Sequence, residues 1–508
     1  MPRSIESAAD KESPFRWWRN LLDTAALRIV VLAGVFTGVA LYQAARLSAL
    51  TDPDIWWHLR TGTWILQNHA VPHDGLFSQS ASLNWVDSSW GFDLLVAAAV
   101  KALGLRGLPI LRVVLQVAIA AALFLLARGT RKNFWSATIL AAVTQYCISG
   151  LEPRRALVSI LFFAVSLALL LHSRRSGQIR PLLWLPLLFL IWANLDRQFV
   201  YGLLALALFC ATAIVEHLGR RSGSAWFESH RPTLPLGVSA AVSGACVLAT
   251  LASPYTYHLH ELIWQGATST AVDYYLPELH GMRFRQPQDY LLMLLAMAAF
   301  LVLGRRRSRD LFQVSLLVVC SAVSFRLQRD TWLVALVAVG IIANAMPIDD
   351  HEEAQQPVRP AWRWEKLLTA ALILAALAVS ALQLPAQYEV LMTRVGQSFP
   401  VRAGDYIRQN RLPQPLFNTY AWGGFLTWYL PEYPVVIDGR VDLYRDANNL
   451  PYFKLTQAEI PLESHPGFAQ AQTFLLEAKS PITEALATLP GFRVAYRDDL
   501  ACVLVRRD

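Results

Sequence analysis

The chain has 508 residues, 55% hydrophobic and only 16% charged, a balance that leaves too little polar surface to cover soluble domains and makes the bilayer its natural solvent. Its 45 Lys and Arg against 37 Asp and Glu give a net charge of +8. The basic residues sit in short loops between apolar runs, where membrane topology accounts for them and nucleic-acid binding is excluded.

The first 19 residues are polar and basic. The apolar run that follows from Ala26 is too long for a signal-peptide core and lacks a small-residue cleavage site, which predicts an uncleaved first helix. Spanning roughly 30 Å of hydrocarbon takes about 20 helical residues. Runs near that length start at Ala26, Gly107, Phe134, Ala156, Pro181, Phe199, Leu234, Tyr290, Leu311, Thr331 and Leu367, predicting an α-helical polytopic protein of about 11 transmembrane helices. The loops carrying Arg128, Arg131 and Lys132, then Arg174, Arg175 and Arg180, then Arg220 and Arg221, then Arg305 to Arg307 are expected on the cytoplasmic side, as is the acidic linker Asp349 to Pro360. Trp90 to Leu105 is apolar but short, and counting it as a span would invert the basic loops, so it reads as a helix on the membrane surface.

The opposite side then receives Thr51 to Arg106, the turn from Asn194 to Gln198, the loop Ser253 to Gln288 and everything after Leu384, and function is expected there. Residues 1–384 form one membrane unit with its first outer loop at 51–106. Residues 385–508 have ordinary polarity, with strand-like runs at Pro434 to Asp438 and Cys502 to Arg506 and a helix-like run at Ile482 to Leu489, and read as a small extracytoplasmic α/β domain. Cys147, Cys210, Cys246 and Cys320 lie inside apolar runs and Cys502 stands alone, so no disulfide or metal framework is expected.

The first loop opens with Thr51-Asp52-Pro53-Asp54-Ile55-Trp56-Trp57-His58-Leu59. Carboxylates at a membrane boundary are partly dehydrated and tend to be bases or ion ligands. Here Asp54 is also suited to cap a helix with the stripe Ile55, Leu59, Gly62, Leu66, Asp52 to act as a solvated anchor, and the tryptophans to form an interfacial belt. Arg154 and Arg155, beside Glu152, match phosphate in fork geometry, as do Arg326 and Arg329, beside Asp330; ion pairing is the alternative use of each. The loop with His258, His260, Glu261, Asp273, Glu278 and His280 has no metal-site spacing and reads as solvated. Asp438-Gly439-Arg440 and the aromatic segment at Trp422-Gly423-Gly424, suited to the membrane surface, read as structural.

Taken together, Asp-x-Asp-x-Trp-Trp-His-Leu with Gly62, Pro72, Asp74, Phe77, Ser78 and Trp85, then Ile191-Trp192-Ala193-Asn194-Leu195, Gly202, Ser253-Pro254-Tyr255, Glu278 and Phe417-Asn418-Thr419-Tyr420 through Asp438-Gly439-Arg440, resemble bacterial polytopic proteins of the GT-C glycosyltransferase superfamily. The resemblance covers most of the chain and implies transfer of a sugar from a polyprenyl-phosphate carrier to an acceptor on the outer face of the bacterial cytoplasmic membrane. It implies Asp52 or Asp54 as general base of an inverting reaction, paired surface helices at Ile55 to Gln67 and Trp90 to Leu105, and Arg154 and Arg155 on the carrier phosphate. His58, Glu278, Arg326 and Arg329 join them as expected substrate-binding residues. Acceptor identity and a divalent metal on the carboxylates stay open. Relatives often carry His and Gly after the Trp-x-Asn-Leu block where this chain has Asp196 and Arg197. That departure and the compact tail motivate the alternative of a non-catalytic membrane scaffold that binds lipid-linked glycan intermediates or envelope-assembly partners. A transporter is disfavoured, because no internal repeat or broken helix pair is visible.

Overall fold

The computed structural model describes residues 25–128, 134–149, 156–221, 234–268, 274–305, 310–345 and 363–507. Helix α1 (Ala25–Arg46) is followed by two loop helices, α2 (Ile55–Asn68) and α3 (Trp90–Leu103), and then by α4 (Gly107–Arg128), α5 (Phe134–Ser149), α6 (Ala156–Ser176), α7 (Leu185–Leu195), α8 (Phe199–Arg221) and α9 (Leu236–Thr250). After α10 (His258–Thr268) come α11 (Pro287–Arg305), α12 (Leu311–Arg326), α13 (Trp332–Ala345) and α14 (Arg363–Gln383).

Each apolar run read from the sequence carries one of these helices. By length and composition, five stretches among the described residues could cross a membrane: Ala26–Arg46, Trp90–Arg128, Ala156–Ser176, Phe199–Arg221 and Pro287–Arg305. A sixth counts if Ala370–Gln383 and Tyr388–Val395, bent by 84°, are one span. The others are apolar but shorter, such as Phe134–Ile148 and Leu311–Arg326.

Within Trp90–Arg128, α3 ends at Gly104, whose φ of 64° only glycine adopts without strain, and a 3₁₀ turn leads into α4. The break supports the reading of α3 as separate from the span that follows. Helices α2 and α3 meet through Gly62, where a Cβ would lie 2.0 Å from the Asp93 carbonyl oxygen and 2.9 Å from the Ala97 Cβ. The partner is backbone and cannot step aside. Gly62→Ala is therefore expected to push the pair apart and destabilise the protein by about 1–3 kcal/mol, read as a lower unfolding temperature in detergent; an unchanged temperature would mean that the helices are not held this closely.

The tail contains α15 (Tyr388–Val395), α16 (Val401–Gln409), β1 (Leu416–Asn418), α17 (Tyr420–Tyr429), α18 (Val441–Thr456), α19 (Pro466–Gln470), β2 (Thr473–Glu477), α20 (Pro481–Thr488), β3 (Phe492–Arg497) and β4 (Ala501–Arg506). The sheet order is β1-β2-β4-β3, with β1 parallel to β2 and the other pairs antiparallel. Cys502 to Arg506 and Ile482 to Leu489 are strand and helix as read. Pro434 to Asp438 is not a strand of the sheet. Pro434 has no N–H to give a ladder, Val436 N–H donates instead to the Asn418 side chain at 2.9 Å, and the segment makes a single bridge, Val435 to Ser78.

The tail does not stand apart from the first loop. Trp56 is fully buried, with its ring centroid 4.7 Å from that of Trp428, 5.4 Å from Phe425 and 5.8 Å from Phe399. Such aromatic pairs contribute about 0.5–1.5 kcal/mol each beyond the apolar area they bury. The expected interfacial belt is thus, at Trp56, part of a core shared between loop and tail.

Candidate functional site

Where α1 gives way to the first loop, Asp54 is the residue preceding α2, but its side chain makes no capping bond to the helix. The carboxylate instead lies beside the indole N–H of Trp57, which donates to Oδ1 at 3.3 Å, while Asp52 Oδ1 accepts from the Asp54 N–H at 3.0 Å. That second bond closes an Asx turn, with the Asp52 carboxylate accepting from the backbone two residues on. Asp52 shapes the turn and Asp54 is left facing outward from it.

Asp54, Pro53 and His58 border a cavity of about 150 Å³. Asp196, Arg197 and Gln198, in the turn between α7 and α8, form a second wall, and Glu278 with Leu276 and Leu279 a third. Arg329 contributes from the turn after α12, and the tail closes the cavity with Tyr420, Ala421, Gly439, Val441 and Asp442. All four pieces of chain assigned to one side of the membrane meet here.

Second-layer contacts fix the walls. Asp196 Oδ2 accepts from the Ser159 hydroxyl at 2.6 Å, and Ser159 Oγ accepts from the Trp192 indole N–H at 2.7 Å. Asp330 is fully buried and accepts from Gln198 at 2.7 Å and from the Tyr201 hydroxyl at 2.5 Å, while Arg329 reaches it only at 3.5 Å. Hence the Arg329 head is held near the cavity without its carboxylate neighbour being devoted to it. Arg197 pairs with Asp442 across the boundary between bundle and tail. His58 Nδ1 and Asp93 Oδ1 are 2.6 Å apart and both side chains are buried, an arrangement that fixes the ring orientation.

The tail approaches Asp54 unusually closely. A Cβ on Gly439 would lie 1.9 Å from Asp54 Oδ1, and one on Gly424 would lie 2.5 Å from the Pro53 carbonyl oxygen. Gly423 is buried against the 437–438 backbone and Gly424 against the first loop, and Trp422 is buried with its indole N–H donating to the Ser398 carbonyl at 3.2 Å. They do not press on the membrane surface. Because the obstacle to a Cβ at Gly439 is the mobile end of a side chain, Gly439→Ala is expected to fold and to turn the Asp54 carboxylate aside. A displacement of about 1 Å costs on the order of 10²-fold in rate. Loss of turnover with an unchanged unfolding temperature is the expected pair of results; loss of both would make Gly439 a packing residue only.

The residues expected from sequence divide as follows. Asp54, His58, Glu278 and Arg329 line the cavity. Asp52 is buried and borders a separate small pocket of about 30 Å³ with Arg112, His58 and apolar side chains. Arg326, the last residue of α12, is exposed and does not line the cavity. Arg154 and Arg155 lie outside the described residues, as does Asp273; Ala156, directly after the arginines, lines the cavity. Asp196, Arg197, Tyr420, Gly439 and Asp442 are not among the site residues expected from sequence; the departure at Asp196 and Arg197 and the blocks holding Tyr420 and Gly439 pointed to four of them, and nothing pointed to Asp442. Among the described residues, no three His, Cys, Asp or Glu side chains are grouped to hold a metal ion. A larger concavity of about 360 Å³ lies between α1, α4 and α5, but it is lined almost wholly by apolar side chains, with Gln43 bonded to Arg112 at its polar end. It holds no group suited to transfer chemistry.

No family model and no curated protein matches the chain. Among solved structures, it is similar to ArnT from Cupriavidus metallidurans, a GT-C family polytopic membrane glycosyltransferase. The alignment with ArnT bound to undecaprenyl phosphate has 13% identity and a TM-score of 0.43 and covers 92% of this chain and 97% of that one. With the apo state the values are 14%, 0.37, 97% and 98%.

Proposed function

We propose that this protein is a membrane glycosyltransferase that moves a sugar from a polyprenyl-phosphate carrier to an extracytoplasmic acceptor with inversion, using Asp54 as general base. The observation that carries the reading is the convergence on one cavity of Asp54, one of the two aspartates that the resemblance offers as the base, with Arg197 and Arg329. Group transfer from a lipid phosphate needs that combination. A base takes the acceptor proton as the hydroxyl attacks the anomeric carbon, and a cation offsets charge on the departing phosphate. Asp52 acts through Asp54, by holding the turn. His58, paired with Asp93, supports the cavity wall in this reading, and Glu278, a lining carboxylate, binds sugar hydroxyls. At about 150 Å³ the cavity is below the ~300 Å³ lower end for drug-sized ligands, which favours one sugar ring over an oligosaccharide.

Native mass spectrometry of the detergent-purified protein tests the carrier half of the reading. Wild type is expected to retain added undecaprenyl phosphate and Arg329→Ala to lose it. Equal retention by both would detach the cavity from the carrier. The non-catalytic alternative predicts retention of the lipid together with stable co-purification of a partner and no transfer from any donor.

A further inference from the structure

We propose that Arg197 is the receptor for the anionic head of the ligand and that Asp442 occupies it in the ligand's absence, so that binding exchanges an internal ion pair for a phosphate contact at the seam between bundle and tail. The inference rests on the carrier reading above and adds to it a residue that the resemblance does not supply.

The guanidinium–carboxylate pairs of the protein differ in what a ligand can reach. Arg440 and Asp438 are buried to 1% and 0% exposure, with both Arg440 Nε and NH2 bonded to the carboxylate, which makes a fixed structural pair. Arg174, at the other end of the bundle, is held by both Asp310 and Glu216. Arg197 and Asp442 retain 23% and 18% exposure and both line the cavity. Arg197 meets Asp442 through one nitrogen, NH1. A guanidinium prefers two parallel bonds to a phosphate, and a phosphate can satisfy that fork better than a carboxylate engaged at one point.

The backbone around Asp442 is suited to the exchange. Gly439 precedes it by three residues, and Arg445 follows at φ 50°, ψ −177°, a conformation that interrupts the helix. Leu443 and Tyr444 keep the intervening turn anchored in the tail core, so the swap is one of side chains. On the opposite wall, Arg197 sits between Asp196, fixed by Ser159, and Gln198, fixed by Asp330. The receptor is rigid and its resident partner is on a separate element.

The test measures binding of undecaprenyl phosphate, and in a parallel arm inorganic phosphate, to the full-length protein for wild type, Asp442→Asn and Arg197→Ala. Removing the resident carboxylate is expected to tighten binding about two- to fivefold, the usual range for a partly exposed pair. Arg197→Ala is expected to weaken it about tenfold or more. Asp442→Asn is also expected to lower the unfolding temperature slightly or leave it unchanged, whereas a purely structural pair would lower stability and affinity together. Unchanged or weaker lipid binding in Asp442→Asn, with wild type still binding, overturns the exchange and leaves the carrier reading intact. No binding by wild type overturns both. The same pattern with inorganic phosphate would assign the site to the phosphate group alone, and the pattern with lipid only would assign it to a lipid headgroup.

Discussion

Asp54→Asn is expected to lower the rate of sugar transfer by about 10²–10⁴, the usual contribution of a positioned general base, while leaving carrier binding and the fold unchanged. The amide keeps the size of the carboxylate and the contact of its oxygen with the Trp57 indole, but it cannot accept the acceptor proton. Asp52→Asn is expected to cost less than about tenfold, because its amide oxygen can still accept from the Asp54 N–H and preserve the turn within the tolerance that transfer geometry allows. A donor-turnover assay on the two variants separates the aspartates. Equal losses would show that the division of roles between them is wrong.

Arg440→Ala is expected to be the most destabilising single change in the tail, by about 3–5 kcal/mol. Asp438 is fully buried, and its partners are Arg440, at 2.7 Å, and the Tyr444 hydroxyl, at 3.1 Å. Burial disfavours the Arg440 charge, but Asp438 more than compensates and raises its pKa above the ordinary arginine value; burial, followed by Asp438, likewise pushes Tyr444 well up. Removing the cation would leave the buried Asp438 carboxylate without charge compensation and take from the Trp85 ring the guanidinium that lies 4.9 Å from it. Replacing both members, Asp438→Asn with Arg440→Met, is expected to recover much of the loss, since a buried pair often contributes little more than an apolar replacement of similar volume. Limited proteolysis and thermal unfolding of the single and double variants distinguish an ion pair that is needed from one that must simply not be broken. A single variant as stable as wild type would contradict the assignment.

The membrane helices were legible because a run of apolar residues is a local signal, and the four pieces that meet at the cavity were grouped together by the charge of the loops between them. Asp54 and Glu278 were legible as carboxylates in the polar segments between apolar runs. The tail's part in the cavity was not, because Asp54 and Gly439 are far apart in sequence and no periodicity encodes their contact. Gly423 and Gly424, in an aromatic segment suited to the membrane surface, and Gly439 read as structural; their reason for being glycine is close approach, to Ile437 and Asp438, to Pro53, and to Asp54. Arg326 and Arg329 could not be separated by spacing. Helix α12 ends at Arg326 and Leu327 is extended, so the helical phase that would relate the two arginines is lost between them. Pro434 to Asp438 misled for a similar reason: an apolar run is strand-like, but its bonds go to the Asn418 side chain and the first loop.

Sugar transfer from a lipid carrier is tested most directly by release of undecaprenyl phosphate from a panel of undecaprenyl-phosphate-linked sugars by the purified protein in lipid nanodiscs. Wild type is expected to release it from at least one donor and Asp54→Asn to release none above background. Retention of the carrier lipid with no release from any donor would contradict catalysis and leave a protein that binds lipid-linked glycans without transferring them.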